Sequence, residues 1–261
     1  MSQTDQGEVR YEQEGGVVTL TFAREAARNA MTWKMYDELD AACIRIKDDP
    51  SVRVVVLRGE GDRAFIAGTD IAQFADFKDG DDGLAYEARV EAIMSKLEQL
   101  PQPTIAVIEG YAVGGGLIIS AVCDFRLCAP SAKFGMPVAR TLGNCLSMDN
   151  YARLSWMIGP GRVKAMVMRA DFIDAATALE TGLASEVHEP EALEARVAEL
   201  AAQLAQQAPL TMWATKEAIR RLMLENVPAD HDIVHRVYGS ADFKEGNAAF
   251  VEKRPAQWQG A

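Results

Sequence analysis

The chain has 261 residues, of which 27 are Lys or Arg and 38 are Asp or Glu, so its formal net charge is −11. This length can bury a sizeable core, either as one large domain or as a domain with a helical extension. The acidic balance argues against nucleic acid as a partner, because phosphate backbones need a basic surface, and it argues equally against a polybasic membrane anchor.

Cysteine usage and the first residues indicate a cellular compartment. The four cysteines form no C-x-x-C pair, so we expect buried free thiols in a reducing compartment at Cys43, Cys123, Cys128 and Cys145. The opening sequence MSQTDQGEVR lacks the apolar stretch of a signal peptide. The longest apolar stretch, 110–123, is too short to span a bilayer. We therefore expect a cytoplasmic protein that makes no membrane contact.

Strands and helices alternate along the first part of the chain, which predicts an α/β layer architecture. Apolar periodicity and runs predict strands over 16–22, 53–58 and 104–108. The predicted helices are 32–47, with Thr32 as the N-cap, then 84–100, 117–122 and 149–157. The polar segment 78–83, KDGDDG, is predicted to be a mobile loop.

The character of the sequence changes after about residue 190. Segments 191–207, 212–224, 230–238 and 243–251 have helical character, and prolines punctuate them. We therefore divide the chain into an α/β core, residues 1–190, and a helical C-terminal region, residues 191–261.

Two glycine-centred segments follow apolar strands and lead into helices. They are 64–71, AFIAGTDI, and 109–116, EGYAVGGG. A strand that ends in glycine and turns into a helix leaves backbone N–H groups free at a positive dipole end. Two such ends aimed at one point can hold a carbonyl oxygen that gains negative charge, so the sequence predicts an oxyanion hole. The glycines match neither a dinucleotide fingerprint nor a phosphate-binding loop.

A set of ordered motifs resembles the crotonase superfamily, the enoyl-CoA hydratase/isomerase-like enzymes. Besides the two glycine segments, it comprises 28–31 (RNAM), 123–124 (CD), 133–137 (KFGMP), 242–246 (DFKEG) and 249–254 (AFVEKR). The match covers nearly the whole chain. It implies a crotonase-like spiral of ββα turns, followed by a helical C-terminal trimerisation region, in a homotrimer or a dimer of trimers.

The resemblance also implies a substrate and its contacts. The substrate is an acyl-CoA thioester, so coenzyme A enters with the substrate and no separate cofactor is expected. Thr69 and Gly115 are the implied oxyanion donors. The implied CoA contacts within one chain are Arg24, Arg28, Ala30 and Ala67, whereas Phe250 and Lys253 are implied to reach the CoA of an adjacent subunit. A helix interface is an equally good role for Phe250.

The chain departs from the hydratase pattern at both acid–base positions. The hydratase pattern has a glutamate two residues after the third glycine, where this chain has Ile118, and another after the Phe-Gly-x-Pro motif, where it has Val138. Adding water to a double bond needs one group that activates the water and one that supplies the α-proton. Aliphatic side chains do neither, so ordinary hydratase activity is not expected.

Asp149 is the one carboxylate in the segment where some relatives place an aspartate. It is a candidate catalytic residue, although a carboxylate in the first turn of a helix is also simply favourable. Cys145 and Ser147 lie nearer the expected position but have no evident base partner. Arg140 is a candidate partner for a substrate carboxylate or for a surface ion pair. For Asp70 we favour a helix-start role over catalysis.

Several functions stay open at this point. A thioester enolate can arise by decarboxylation of a malonyl-type acyl-CoA or by enoyl-CoA isomerisation through Asp149, and the chain can also be a CoA-binding protein without activity. His231 and His235 have the i, i+4 spacing of a zinc pair, but an amphipathic helix face explains them better. We expect no metal.

Overall fold

The computed structural model describes residues 6–225 and 227–260. The strands are β1 (Glu8–Glu14), β2 (Val17–Ala23), β3 (Val54–Gly59), β4 (Ala64–Ile66), β5 (Thr104–Ile108), β6 (Tyr111–Val113), β7 (Phe125–Cys128), β8 (Lys133–Gly135), β9 (Phe172–Asp174) and β10 (Glu186–Val187). The helices are α1 (Trp33–Asp48), α2 (Gly80–Glu98), α3 (Gly115–Ala121), α4 (Val138–Thr141), α5 (Met148–Met168), α6 (Ala175–Thr181), α7 (Pro190–Ala205), α8 (Pro209–Leu224), α9 (His231–Tyr238) and α10 (Ala241–Val251).

These strands form two sheets. The larger has six strands in the order β1-β2-β3-β5-β7-β10, and the smaller has four in the order β4-β6-β8-β9. Within the larger sheet only β1 and β2 are antiparallel, and within the smaller only β8 and β9 are. The predicted mixed α/β architecture is therefore confirmed.

The larger sheet is covered on both faces, which explains the continuous apolar runs. In β3, Val55 and Leu57 belong to the main core with α1, whereas Val54 and Val56 belong to a second core with α7. Successive side chains of a strand point to opposite faces, so a strand between two cores must be apolar at every position. The four cysteines are free and buried, as the sequence predicted.

Two helices extend beyond their predicted limits. Helix α2 begins at Gly80, because Asp79 and Asp82 form a capping box around its first turn. The prediction of a loop over all of 78–83 was therefore wrong. Helix α5 continues to Met168, but its helical geometry breaks at Gly159, which has a φ of 78° and precedes Pro160.

From Pro190 onward the described part of the chain consists of the four helices α7 to α10 and their connections, as predicted. Helix α7 closes one face of the larger sheet, and α9 packs on α2. That second contact needs glycine, because a Cβ on Gly83 would lie 2.3 Å from the ring of Tyr238. Helix α8 has no buried residue and exposes Leu210, Ile219 and Leu222.

Assembly into trimers stays a prediction. No helix of the described part is long and apolar enough to cross a membrane.

A buried cluster of charges joins α2 to α5. Arg153 is 1% exposed, and its guanidinium contacts Glu91 at 2.6 Å and Glu98 at 2.8 Å. It also donates to the Asn150 side chain. One cation thus neutralises two carboxylates on the same helix.

We expect Arg153→Met to destabilise the protein strongly, because it leaves two carboxylates without their cation. Breaking a buried pair in this way typically costs about 3–5 kcal/mol. The measurement is the free energy of unfolding in urea. Arg254→Met, which removes an exposed pair with Glu245, is the control and should change little. Equal effects of the two variants would contradict the assignment.

Candidate active site

The first glycine turn, 67–70, follows β4 and is held by the segment 28–31. The Ala67 N–H donates to the Arg28 carbonyl at 3.0 Å, and the Asp70 N–H donates to the Met31 carbonyl at 2.8 Å. The Met31 N–H donates to the Gly68 carbonyl at 2.8 Å. Among the described residues, the Thr69 N–H between them has no acceptor. The turn therefore presents one free amide on a fixed backbone.

The second glycine turn follows β6, which pairs in parallel with β4, so both turns lie at the same edge of the sheet. Gly114 has φ 56° and ψ −123°, a conformation that favours glycine. Gly115 is the first residue of α3, where an N–H has no acceptor within the helix. A Cβ built on Gly115 would lie 3.8 Å from the Thr69 nitrogen, so the two predicted donors are adjacent.

Two tyrosines fix Thr69 from the other side. The Thr69 hydroxyl is 2.8 Å from the Tyr36 hydroxyl on α1 and 2.8 Å from the Tyr86 hydroxyl on α2. Burial raises the pKa of Tyr36 to about 12 and raises that of Tyr86 as well. Both phenols therefore stay neutral and act as hydrogen-bonding props for the turn.

A cavity of ≈ 220 Å³ opens beside the two turns. Its wall is largely apolar, and Ile118 and Val138 are part of it. The positions that carry glutamates in the hydratase pattern thus face the cavity as aliphatic side chains. No Lys, Arg or His of the described residues lines it, and Glu87 is its one carboxyl group.

Glu87 is the site residue that sequence reasoning missed. On α2 the positions 83, 87, 90, 94 and 97 follow helical spacing, and every one except Glu87 is a buried glycine or apolar residue. A glutamate within an apolar helix face was the available signal. The Tyr238 hydroxyl donates to Glu87 at 2.6 Å.

The pKa of Glu87 is raised to about 7, first because burial disfavours the charged form. Asp230 and Glu91 raise it further, while the Tyr238 hydrogen bond and the Ser147 backbone lower it. The rings of Phe77, Tyr86 and Phe243 contact the ring of Tyr238, and the Phe74 ring packs against Tyr86.

The structure does not bring Asp149 to the oxyanion hole. It lies in the first turn of α5, outside the cavity wall, although its neighbour Asn150 lines the cavity. Burial and Glu91 raise its pKa. Asp70 caps the turn 71–74 and pairs with Arg24 at 2.7 Å, which agrees with the helix-start role.

The predicted CoA contacts are divided between the cavity and the surface beside it. Ala67 and Phe250 line the cavity. Phe250 does so in its own chain, where Tyr238 of α9 contacts Phe243 of α10. A contact between Phe250 and the CoA of an adjacent subunit stays a prediction. The Ala30 carbonyl accepts from Arg24, Arg28 lies near the Tyr111 ring, and Lys253 is exposed.

Of the remaining candidates, Cys145 lines the cavity, whereas Ser147, Arg140 and the two histidines do not. Cys145 lines the cavity, but burial raises the pKa of its thiol to about 12, so it is a neutral group. The Ser147 side chain caps α5, and Arg140 is an exposed residue of α4. His235 lies 3.5 Å from Asp81, and the described residues contain no cluster of three potential metal ligands.

A pH dependence of stability follows from Glu87. The folded chain holds this proton more tightly than the unfolded chain does, so the stability from the group is complete below the ordinary glutamate pKa and is lost as the pH rises through about 7. Gln cannot ionise. We expect the stability of Glu87→Gln relative to wild type to increase between about pH 5 and pH 8, by at most ~3 kcal/mol.

Urea denaturation at several pH values measures this difference. The matched control is Glu180→Gln, because Glu180 is an exposed residue of α6. The difference in free energy of unfolding between this variant and wild type should be the same at every pH. A constant difference for Glu87→Gln as well would show that Glu87 titrates normally in the folded chain.

Comparison with known proteins agrees with this geometry. A family model described as enoyl-CoA hydratase/isomerase matches residues 12–261. A crotonyl-CoA hydratase from Syntrophomonas wolfei is 32% identical over 251 residues, which cover 95% of this chain and 96% of that protein. A carnitinyl-CoA dehydratase from Proteus mirabilis is 34% identical over 254 residues, with coverages of 94% and 96%.

Solved structures are similar over the same extent. A methylmalonyl-CoA decarboxylase in complex with 2-nitronate-propionyl-CoA has a TM-score of 0.88 at 27% identity, with 97% of this chain and 98% of that chain covered. An enoyl-CoA hydratase/carnithine racemase from Magnetospirillum magneticum has a TM-score of 0.79 at 32% identity, with coverages of 97% and 96%. These likenesses confirm the crotonase-like fold, and the chain belongs to the enoyl-CoA hydratase/isomerase family.

Proposed function

We propose that this protein binds an acyl-CoA thioester and stabilises its enolate with the amides of Thr69 and Gly115. The observation that carries the proposal is the closeness of the Thr69 and Gly115 backbones at one edge of the small sheet, where both residues line a largely apolar cavity. A thioester carbonyl gains negative charge when its α-carbon becomes a carbanion, and backbone donors fixed before the reaction stabilise that charge most effectively.

The cavity wall supports a reaction other than ordinary hydration. Ile118 is 4% exposed and Val138 is 7% exposed, and both line the cavity. Neither of these aliphatic side chains can remove a proton from a water molecule. The same wall suits an apolar acyl chain, because burying apolar surface is favourable by about 25 cal/mol per Å².

The CoA moiety extends from the cavity toward the segment 24–30 in this proposal. Arg24 and Arg28 are cations beside the first glycine turn, on a chain whose net charge is −11, and Arg24 there also pairs with Asp70. Local cations of this kind would attract CoA phosphates against the overall field. The exposed apolar face of α8 supports a homotrimeric or hexameric assembly.

Decarboxylation of a malonyl-type thioester is the second candidate. The structural similarity to methylmalonyl-CoA decarboxylase favours it. Loss of CO₂ leaves the bonding electrons on the α-carbon, so the enolate forms without a base, and a dry wall raises the energy of the substrate carboxylate. However, no basic side chain of the described residues lines the cavity to receive that carboxylate.

We expect the protein to bind acyl-CoA thioesters while it hydrates crotonyl-CoA poorly, because Ile118 and Val138 replace the acid–base pair. Calorimetry with hexanoyl-CoA and a hydration assay measure the two properties on the same preparation. Hydration at an ordinary enzyme rate of about 10 per second would refute this expectation. Binding with no turnover of any acyl-CoA would indicate a CoA-binding protein without activity.

We expect Gly115→Pro to lower kcat by about 100- to 1000-fold on whichever thioester is turned over, since proline removes one oxyanion donor. Proline is tolerated at the first position of a helix, which Gly115 occupies. Gly115→Ala is the control: it keeps the N–H, although its Cβ would lie 2.9 Å from the Tyr36 hydroxyl. Because Gly115→Ala keeps the N–H, we expect its kcat to fall less than that of Gly115→Pro.

Circular dichroism must first show that both variants are folded. A folded Gly115→Pro variant with the wild-type kcat would remove Gly115 from the oxyanion hole.

A further inference from the structure

We propose that Glu87 is the acid–base residue of this site and that it carries a proton from C2 to C4 of a 3-enoyl-CoA thioester. The inference rests on the proposed enolate function and adds to it a catalytic residue and a substrate class. Glu87 is outside both positions that carry glutamates in the hydratase pattern, because it projects from α2 rather than from α3 or α4.

The geometry places Glu87 in the reaction cavity. It shares the cavity-facing side of α2 with Val90 and Met94, and the same cavity is lined by Thr69 and Gly115. Its neighbour Tyr86 reaches the Thr69 hydroxyl at 2.8 Å, so α2 is coupled directly to the oxyanion turn.

Tyr238 positions the carboxyl group. Its hydroxyl donates to Glu87 at 2.6 Å and accepts from the Asn144 amide at 3.2 Å. Tyr238 is 1% exposed and reaches α2 only because Gly83 has no side chain. One carboxyl oxygen is therefore held by the phenol.

No cation of the residues 6–225 and 227–260 pairs with Glu87. Arg153, the cation on the neighbouring helix α5, is engaged by Glu91 and Glu98. The titratable groups that interact with Glu87 are otherwise acidic or neutral: Tyr36, Tyr86, Glu91, Cys145, Tyr151, Asp230 and Tyr238. A buried carboxyl group in such surroundings exchanges its proton near neutral pH, as a general base must.

The proton transfer balances without a co-reactant. Glu87 as carboxylate removes a proton from C2, and the electrons of that C–H bond form the dienolate, whose oxygen accepts from Thr69 and Gly115. Protonated Glu87 then returns the proton to C4. The double bond moves from C3–C4 to C2–C3, and the carboxylate is regenerated.

A single carboxyl group is enough for this shift, whereas hydration also requires a water-activating group. Tyr86 and Cys145, the other titratable side chains of the wall, are held neutral by burial. Of the described residues that line the cavity, Glu87 is thus the one that can both accept and return a proton at neutral pH.

The test compares wild type, Glu87→Gln and Glu87→Asp on 3-hexenoyl-CoA, with deuterium incorporation at C2 and C4 followed by NMR in D₂O. Gln keeps the shape and still accepts from Tyr238, so we expect folding to be retained and kcat to fall by about 100-fold or more. Asp should restore part of the rate. Wild-type kcat/KM should rise with pH through an apparent pKa near 7, and Glu87→Gln should lack this rise.

Two further variants separate a catalytic from a structural role. Tyr238→Phe removes a hydrogen bond that lowers the pKa of Glu87. The pH profile of kcat/KM of this variant should therefore lie at higher pH than that of wild type. Glu180→Gln, on the surface of α6, should keep both the rate and the profile.

The outcomes distinguish this inference from the proposed function. If Glu87→Gln isomerises at the wild-type rate, the role of Glu87 is refuted while the enolate function stands. If wild type binds hexanoyl-CoA but neither isomerises 3-hexenoyl-CoA nor exchanges deuterium, the role of Glu87 is refuted and, of the proposed function, only acyl-CoA binding stands. If wild type binds no acyl-CoA in calorimetry, the proposed function itself fails.

Discussion

The site depends on the close approach of two backbone turns that end parallel strands of one small sheet. A Cβ on Gly116 would lie 2.1 Å from the Ile66 carbonyl oxygen, so the start of α3 can rest on the end of β4 only with glycine there. That contact sets the Gly115 amide beside Thr69. Three consecutive glycines are costly at a helix start, each by up to about 1 kcal/mol, and the structure gives at least two of them a specific steric reason.

The surrounding structure supports this approach from several directions. The segment 28–31 pairs with the first turn through backbone hydrogen bonds, and Asn29 anchors that segment by donating to the carbonyls of Glu60 and Ala64. Tyr36 and Tyr86 hold the Thr69 hydroxyl. The two proposed donors are therefore fixed by the fold itself, which is the condition under which hydrogen bonds stabilise a developing charge without reorganisation.

Helix α2 carries both ion-paired carboxylates and a carboxyl group that faces the cavity. Arg153 neutralises Glu91 and Glu98 deep between α2 and α5, whereas Glu87, one turn earlier on the same helix, receives only hydrogen bonds. Helices α9 and α10 complete this environment: Phe250 lines the cavity, and Tyr238 donates to Glu87, which lines it as well. The C-terminal region thus contributes to the site as well as to the exposed surface of α8.

The sequence by itself determined the α/β core, the helical C-terminal region, the two glycine turns and the aliphatic residues at both glutamate positions. These features depend on local patterns, since periodicity, glycine and proline act within a few residues. It did not reveal Glu87, because a glutamate at helical spacing is ordinary unless its neighbours are known to be buried. It offered Asp149 instead, a carboxylate that the fold places outside the cavity wall. Whether a carboxyl group meets a cation, a phenol or water is decided by residues distant in sequence: Glu87 and Tyr238 are 151 positions apart, and only tertiary packing brings them together.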